Sequence, residues 1–234
     1  MDTTISAPHA GVAATQSSAD ATRTRALLSS GVVVGPLFVG VVLLQILTRP
    51  GFDLGRHPIS LLSLGDLGWI QIANFIVAGL LAIAFAISVR RVLRGGRGGT
   101  WGPLLLGLFG AGLVAGGVFV ADPALGFPPG TPDGIPDQFS WHGTLHAFAP
   151  PGAFTALIAA TFVFARRFSA LRLAGWTAYS LATGIVAIAL VAWPDPNGFS
   201  VRLFVGVVIG FVWLAAIALR LRGELSQEGT SAAR

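Results

Sequence analysis

Apolar residues fall into six blocks along the chain, at 26–47, 69–88, 101–121, 142–165, 173–193 and 201–221. Each has about the 20 residues that a helix needs to cross the hydrocarbon core of a bilayer. The pattern predicts an all-α, polytopic membrane protein of six transmembrane helices in an antiparallel bundle, with no room for a soluble domain. The first block, "ALLSSGVVVGPLFVGVVLLQILT", is too long for the core of a signal peptide, and no small-x-small cleavage site follows it. It reads as the first span. Residues 1–25 are Ala, Ser, Thr and Asp with no periodic apolar face, the composition of a disordered cytoplasmic tail. The transmembrane domain is then 26–221, and 222–234 is a cytoplasmic C-terminal tail.

Composition agrees with the blocks. Of 234 residues, 53% are hydrophobic and 11% charged, and the mean hydropathy is +0.75. A soluble domain of this length needs more charge to cover its surface. All fifteen basic residues are arginine, and the sequence pI is about 11.4. That basicity does not signal nucleic acid, because the arginines sit at the ends of apolar blocks, where they encode topology. Twelve of the fifteen lie on one side: 23, 25, 90, 91, 94, 97, 166, 167, 172, 220, 222 and 234, against Arg49, Arg56 and Arg202 on the other. By the positive-inside rule both termini are cytoplasmic, in the cell membrane, and the bilayer is the one partner that the sequence names. With no cysteine, disulfides, thiolate zinc sites and thiol nucleophiles are excluded.

Small residues at Gly112 and Gly116 in the third block and Gly206 and Gly210 in the sixth form small-xxx-small patterns that let helices approach closely. Pro150 and Pro151 fall inside the fourth block, where they kink a helix and leave carbonyls without donors.

Polar chemistry gathers on the arginine-poor side, with Arg49, Asp53, Arg56, His57, Asp66, Asp122, Asp133, Asp137, His142, His146, Asp195 and Arg202. "RPGFD", "ADPALGF" and "WPDPNGF" echo one another after the odd-numbered blocks, which is also ordinary Asp, Pro and Gly turn punctuation. In "SWHGTLHAF", His142 and His146 stand at i, i+4, one helical turn apart on one face. That spacing lets two imidazoles reach one metal ion; the third ligand would come from Asp122, Asp53 or His57. A network of ion pairs and hydrogen bonds among the same groups is the other reading. In "FDLGRHPISLLSLGDLGW", Pro58 opens a short amphipathic helix lying at the outer surface, a connector or a lid, with Ser60 on it as a candidate nucleophile and Asp66 as a candidate base.

The His-Pro-Ile-Ser block with its downstream Gly-Trp, the aspartate in "GGVFVADP" and "HGTLHAF" resemble the bacterial and archaeal membrane proteins grouped as domain of unknown function 998, over about residues 30–220. The resemblance implies a six-helix bundle and carries over Asp53, His57, Pro58, Ser60, Gly68, Trp69, Asp122, His142 and His146 as signature positions. It implies no activity. A looser similarity, to membrane hydrolases that set a Ser, an Asp and three His around zinc, differs in helix count and motif order.

Three functions are therefore in view. The first is a membrane protein of unassigned activity whose polar cluster (Asp53, Arg56, His57, Asp122, His142, His146) ties the outer loops together and binds an ion or lipid headgroup. The alternative is a zinc-dependent hydrolase of a lipid-like amide or ester. In it His142, His146, His57 and Asp122 are the metal donors, Asp122, His57 and Ser60 the catalytic candidates, and Arg56 or Arg202 steadies the oxyanion. The third, a small-molecule transporter, is disfavoured because no Asp, Glu, Lys or Arg occupies the centre of a block.

Overall fold

The computed structural model describes the backbone over residues 9–232 and the side chains over 19–227. Six α-helices account for most of it: α1 (His9–Thr48), α2 (Gly68–Val92), α3 (Trp101–Val118), α4 (Trp141–Ala170), α5 (Ala174–Ala192) and α6 (Phe199–Ala232). All six are long and apolar enough to cross a membrane, and no strand occurs among the described residues. Each helix packs on its neighbours in sequence, and α6 returns to α1, so the bundle closes as a ring. The connections 49–67, 119–140 and 193–198 gather at one end. The short connections around 93–100 and 171–173, rich in arginine, lie at the other.

Two helix limits differ from the sequence reading. The first helix begins at His9, so 9–25 is helical and not an irregular tail; residues 1–8 lie outside the described residues. Its alanines have high intrinsic helix propensity, and a helix already nucleated by the membrane span extends at little further cost. The third helix stops at Val118, because Phe119 turns extended (φ −97°, ψ 100°), which starts the long connection three residues early.

Close packing is concentrated where glycines face each other. A Cβ at Gly79 of α2 would lie 2.5 Å from the carbonyl oxygen of Gly110 of α3, and one at Gly110 would lie 2.7 Å from that of Gly79. The backbones touch, and no side chain fits between them. Of the four glycines expected to pack, Gly112 does so against Ala153 (2.6 Å) and Gly210 meets only the flexible tip of Leu157, whereas Gly116 and Gly206 have nothing nearer than 3.9 Å. Aromatic rings fill the centre. Phe38, Phe75, Phe109 and Phe211 tie α1, α2, α3 and α6 together, with Phe38–Phe211 centroids 5.2 Å apart. Trp213 of α6 packs edge-on to Phe164 of α4 and donates its indole N–H to Ser180 Oγ of α5 (3.1 Å). At the arginine-rich end Arg167 and Arg220 share Glu224.

Residues Ile59–Ser63 form a 3₁₀ turn, with Pro58 as the residue before it and not its first helical position. Ile59, Leu61, Leu62 and Ser63 are all buried, so the segment is not an amphipathic helix on the surface but a plug set into the loop-rich end against α2. Its apolar residues are too closely spaced to leave a polar face for water.

Candidate functional site

The loop-rich end is built as a cap, and His57 pins it. The ring is 3% exposed. Its Nδ1 accepts the Asp53 backbone N–H (3.0 Å), and its Nε2–H donates to the Leu125 carbonyl (3.0 Å), which sets the neutral tautomer and joins the first connection to the third. Phe52 and Phe127 pack on the imidazole at 5.4 and 5.5 Å. Leu125 itself sits at φ 59°, a left-handed conformation costly for a branched side chain, held by that carbonyl bond and by its own N–H to Gly134 (2.7 Å).

Arg49, placed on this side by the sequence but left out of the expected cluster, is the second fastener. Its guanidinium donates to the carbonyls of Leu62 (3.2 Å) and Leu64 and lies 5.6 Å over the Phe127 ring. Burial lowers its pKa from the ordinary value while the nearby Asp66 charge raises it; it stays cationic. An Arg at the end of the first block, on the arginine-poor side, was the available signal. Arg56 pairs with Asp133 (2.6 Å) on the exposed surface.

Asp122 closes the other seam. Its Oδ2 accepts the Ser140 N–H (2.7 Å) where α4 begins, and Ser140 Oγ in turn accepts the Gly143 N–H (3.0 Å). A carboxylate there also meets the positive end of the helix dipole. The echo among Asp53, Asp122 and Asp195 is therefore only partial. Asp53 and Asp195 each accept the N–H two residues on, at 2.8 and 2.9 Å, in the same tight turn, and Asp122 does something else.

The candidate residues do not converge as expected. His142 is exposed and stacked on Trp141 (3.9 Å), whereas His146, one turn deeper, is buried. Both nitrogens of His57 are already committed. Among the described residues no three His, Asp or Glu side chains come together where a metal could be held, so the proposed zinc ligands (His57, Asp122, His142, His146) do not form a site. Nor do the oxyanion candidates serve. Arg56 is engaged with Asp133, and Arg202 donates to the carbonyls of Asn197 (2.6 Å) and Asp195.

What the cap covers is a cavity of about 330 Å³ in the loop-rich half of the bundle. Phe38, Phe75, Phe154, Leu203 and Phe211 are among its walls, and Pro58, Ile59 and Ser60 come from the plug. No charged side chain lines it. Thr155 of α4, Val191 of α5 and Phe199 of α6, also in the wall, each keep accessible surface. His146 belongs to this wall. Its Nδ1–H donates to the Phe119 carbonyl (2.6 Å), and its buried Nε2 has no partner. Ser60 is in the wall too, with no hydrogen bond joining it to His146. The motif reading named His146 and Ser60 but had no means of seeing the space between them. A further polar group, Gln45, Gln71 and Asn74, links α1 and α2 near the cap through the Gln45–Gln71 (2.8 Å) and Asn74–Phe38 carbonyl (3.2 Å) bonds.

The family model for proteins of unknown function DUF998 matches residues 32–220. The chain belongs to that family. No curated protein and no solved structure matches it. The match reaches into all six spans and covers the whole cap, so membership in DUF998 is carried by the bundle just described. It leaves this integral, multi-pass membrane protein without an assigned activity.

Proposed function

We propose that this DUF998 protein is a binding protein that holds a lipid-like molecule in the cavity, beneath a cap on the extracytoplasmic side of the cell membrane. The cavity carries the reading. It is within the size range of small-molecule sites and almost wholly apolar, as a site for an acyl chain would be. The excess of arginine at the opposite end, twelve of fifteen, supports the orientation. Asp53, Arg56, His57, Arg49 and Asp122 act as fasteners that keep the cap closed over the ligand; none of them lines the cavity. The transport and hydrolase readings gain no support, since the cavity has neither a charged group nor an assembled nucleophile–base pair.

The test is direct. Protein purified in mild detergent is analysed by native mass spectrometry and lipid extraction, beside a Leu203→Trp variant that fills the cavity. A defined lipid-sized adduct on the wild type, lost from the variant, is expected. The same complement on both proteins refutes the reading.

A further inference from the structure

We infer that the arginine-rich end is a docking surface for anionic phospholipid of the adjoining leaflet. Arg94, Arg97 and Arg166 face the phosphate groups, and an exposed stripe of α3 faces the acyl chains. Among residues whose side chains are described, this end carries eleven arginines against two acids, Asp20 and Glu224. Glu224 is already shared by Arg167 and Arg220. Charge of one sign is therefore left without a counterpart inside the protein.

The arginines fall into two sets. One holds the structure together. Arg90 of α2 donates to the Gly99 carbonyl (2.6 Å), and Arg167 of α4 donates to the Arg97 carbonyl (3.1 Å). The 93–100 connection is thus pinned from two helices, and Arg167 ties it on to α6 through Glu224 (3.5 Å). The second set, Arg91, Arg94, Arg97, Arg166 and Arg172, is exposed, and among the described residues no hydrogen bond, carboxylate or ring engages their guanidinium groups. Arg166 adjoins Arg167, whose guanidinium touches the backbone of Arg97, and Arg94 belongs to the same pinned connection. Residues distant in sequence are so fixed on one platform with their charges turned to solvent.

Below that platform the surface changes character. Trp101, Leu104 and Leu108 follow the connection at i, i+3 and i+7 on α3, and all three are exposed, forming one apolar face. A tryptophan at the end of a span marks the headgroup level. Cations at that level with an apolar stripe beneath match a molecule with an anionic head and hydrocarbon tails. Guanidinium is suited to phosphate oxygens in geometry as well as charge, and clusters of four to eight arginines beside a span attract anionic lipid. A soluble acidic partner would use the cations and leave the stripe unused.

Protein in mild detergent is mixed with equimolar phosphatidylglycerol and phosphatidylcholine, and bound lipid is counted by native mass spectrometry. With identical acyl chains, both probes carry a phosphodiester, but choline cancels its charge. Each cation beside an anionic surface contributes about fivefold. The wild type should thus favour phosphatidylglycerol about ten- to hundredfold, less as salt is raised. The triple variant Arg94→Gln, Arg97→Gln, Arg166→Gln should fall to within about threefold of parity. The corresponding triple lysine variant keeps the charges and should retain most of the preference, which separates loss of charge from loss of fold. Equal retention of the two lipids by the wild type, a ratio indifferent to salt, an unchanged preference in the glutamine triple, or its loss from the lysine triple overturns the assignment.

Discussion

Replacing His57 tests whether the cap is held by one imidazole. His57→Ala removes the Asp53 N–H to Nδ1 and the Nε2–H to Leu125 bonds, each about 1 kcal/mol net. It also removes ring contacts with Phe52 and Phe127, about 1 kcal/mol apiece. The sum is about 3–4 kcal/mol, and it falls locally, because the bundle below the cap does not depend on the imidazole. Converted at 1.4 kcal/mol per factor of ten, the cap should open about two to three orders of magnitude more often. Hydrogen exchange read by mass spectrometry on 122–134 reports this directly. The amides of Ala124, Leu125, Gly126 and Phe127 are bonded only within that connection, and their exchange should accelerate by that factor. His57→Asn retains an acceptor at the Nδ1 position and should recover part of the loss. The reasoning is refuted if exchange over 122–134 is unchanged in His57→Ala, or if the acceleration spreads equally through α2 and α3.

Two smaller effects follow from neighbouring contacts. In Gly143→Ala the new Cβ would lie 2.0 Å from Asp122 Oδ2, displacing the carboxylate from the start of α4, so thermal stability in detergent should drop further than in Asp122→Asn, which loses only about 0.5–1 kcal/mol of dipole and charge interaction; the opposite order would contradict the capping role. Arg56→Met and Asp133→Asn should each cost less than about 1 kcal/mol in the same assay, less still at high salt, because both side chains are exposed; a loss of several kcal/mol would show the pair to be structural.

Most of the fold was readable because a bilayer imposes a length and a polarity on every span, and the six blocks meet both. The arginine count told the two ends apart for the same reason. Reading the site failed at the point where side-chain direction matters. The i, i+4 spacing of His142 and His146 does put them one turn apart, but the sequence carries no sign that Trp141 draws the first ring outward while the Phe119 carbonyl draws the second inward. Likewise nothing local to His57 shows that its second nitrogen is taken by a residue in another connection. Glycine pairs were misjudged similarly: Gly79 and Gly110 belong to no small-xxx-small pair, and only the register of α2 against α3 makes them meet. Arg49 and the 59–63 turn were legible as anomalies, a cation on the arginine-poor side and an apolar run in a loop, without indicating that they fit together.

The bond between His57 and Leu125 spans 68 residues, and this has a consequence for biosynthesis. At about 5–20 residues per second, the ribosome delivers Leu125 roughly 3–14 s after His57. For that interval the Ile59–Ser63 turn has α2 beside it but lacks the connection that latches His57. A nascent chain halted before Phe119 should therefore display a greasy, unlatched segment to quality-control proteases, and lose it once translation passes Gly134.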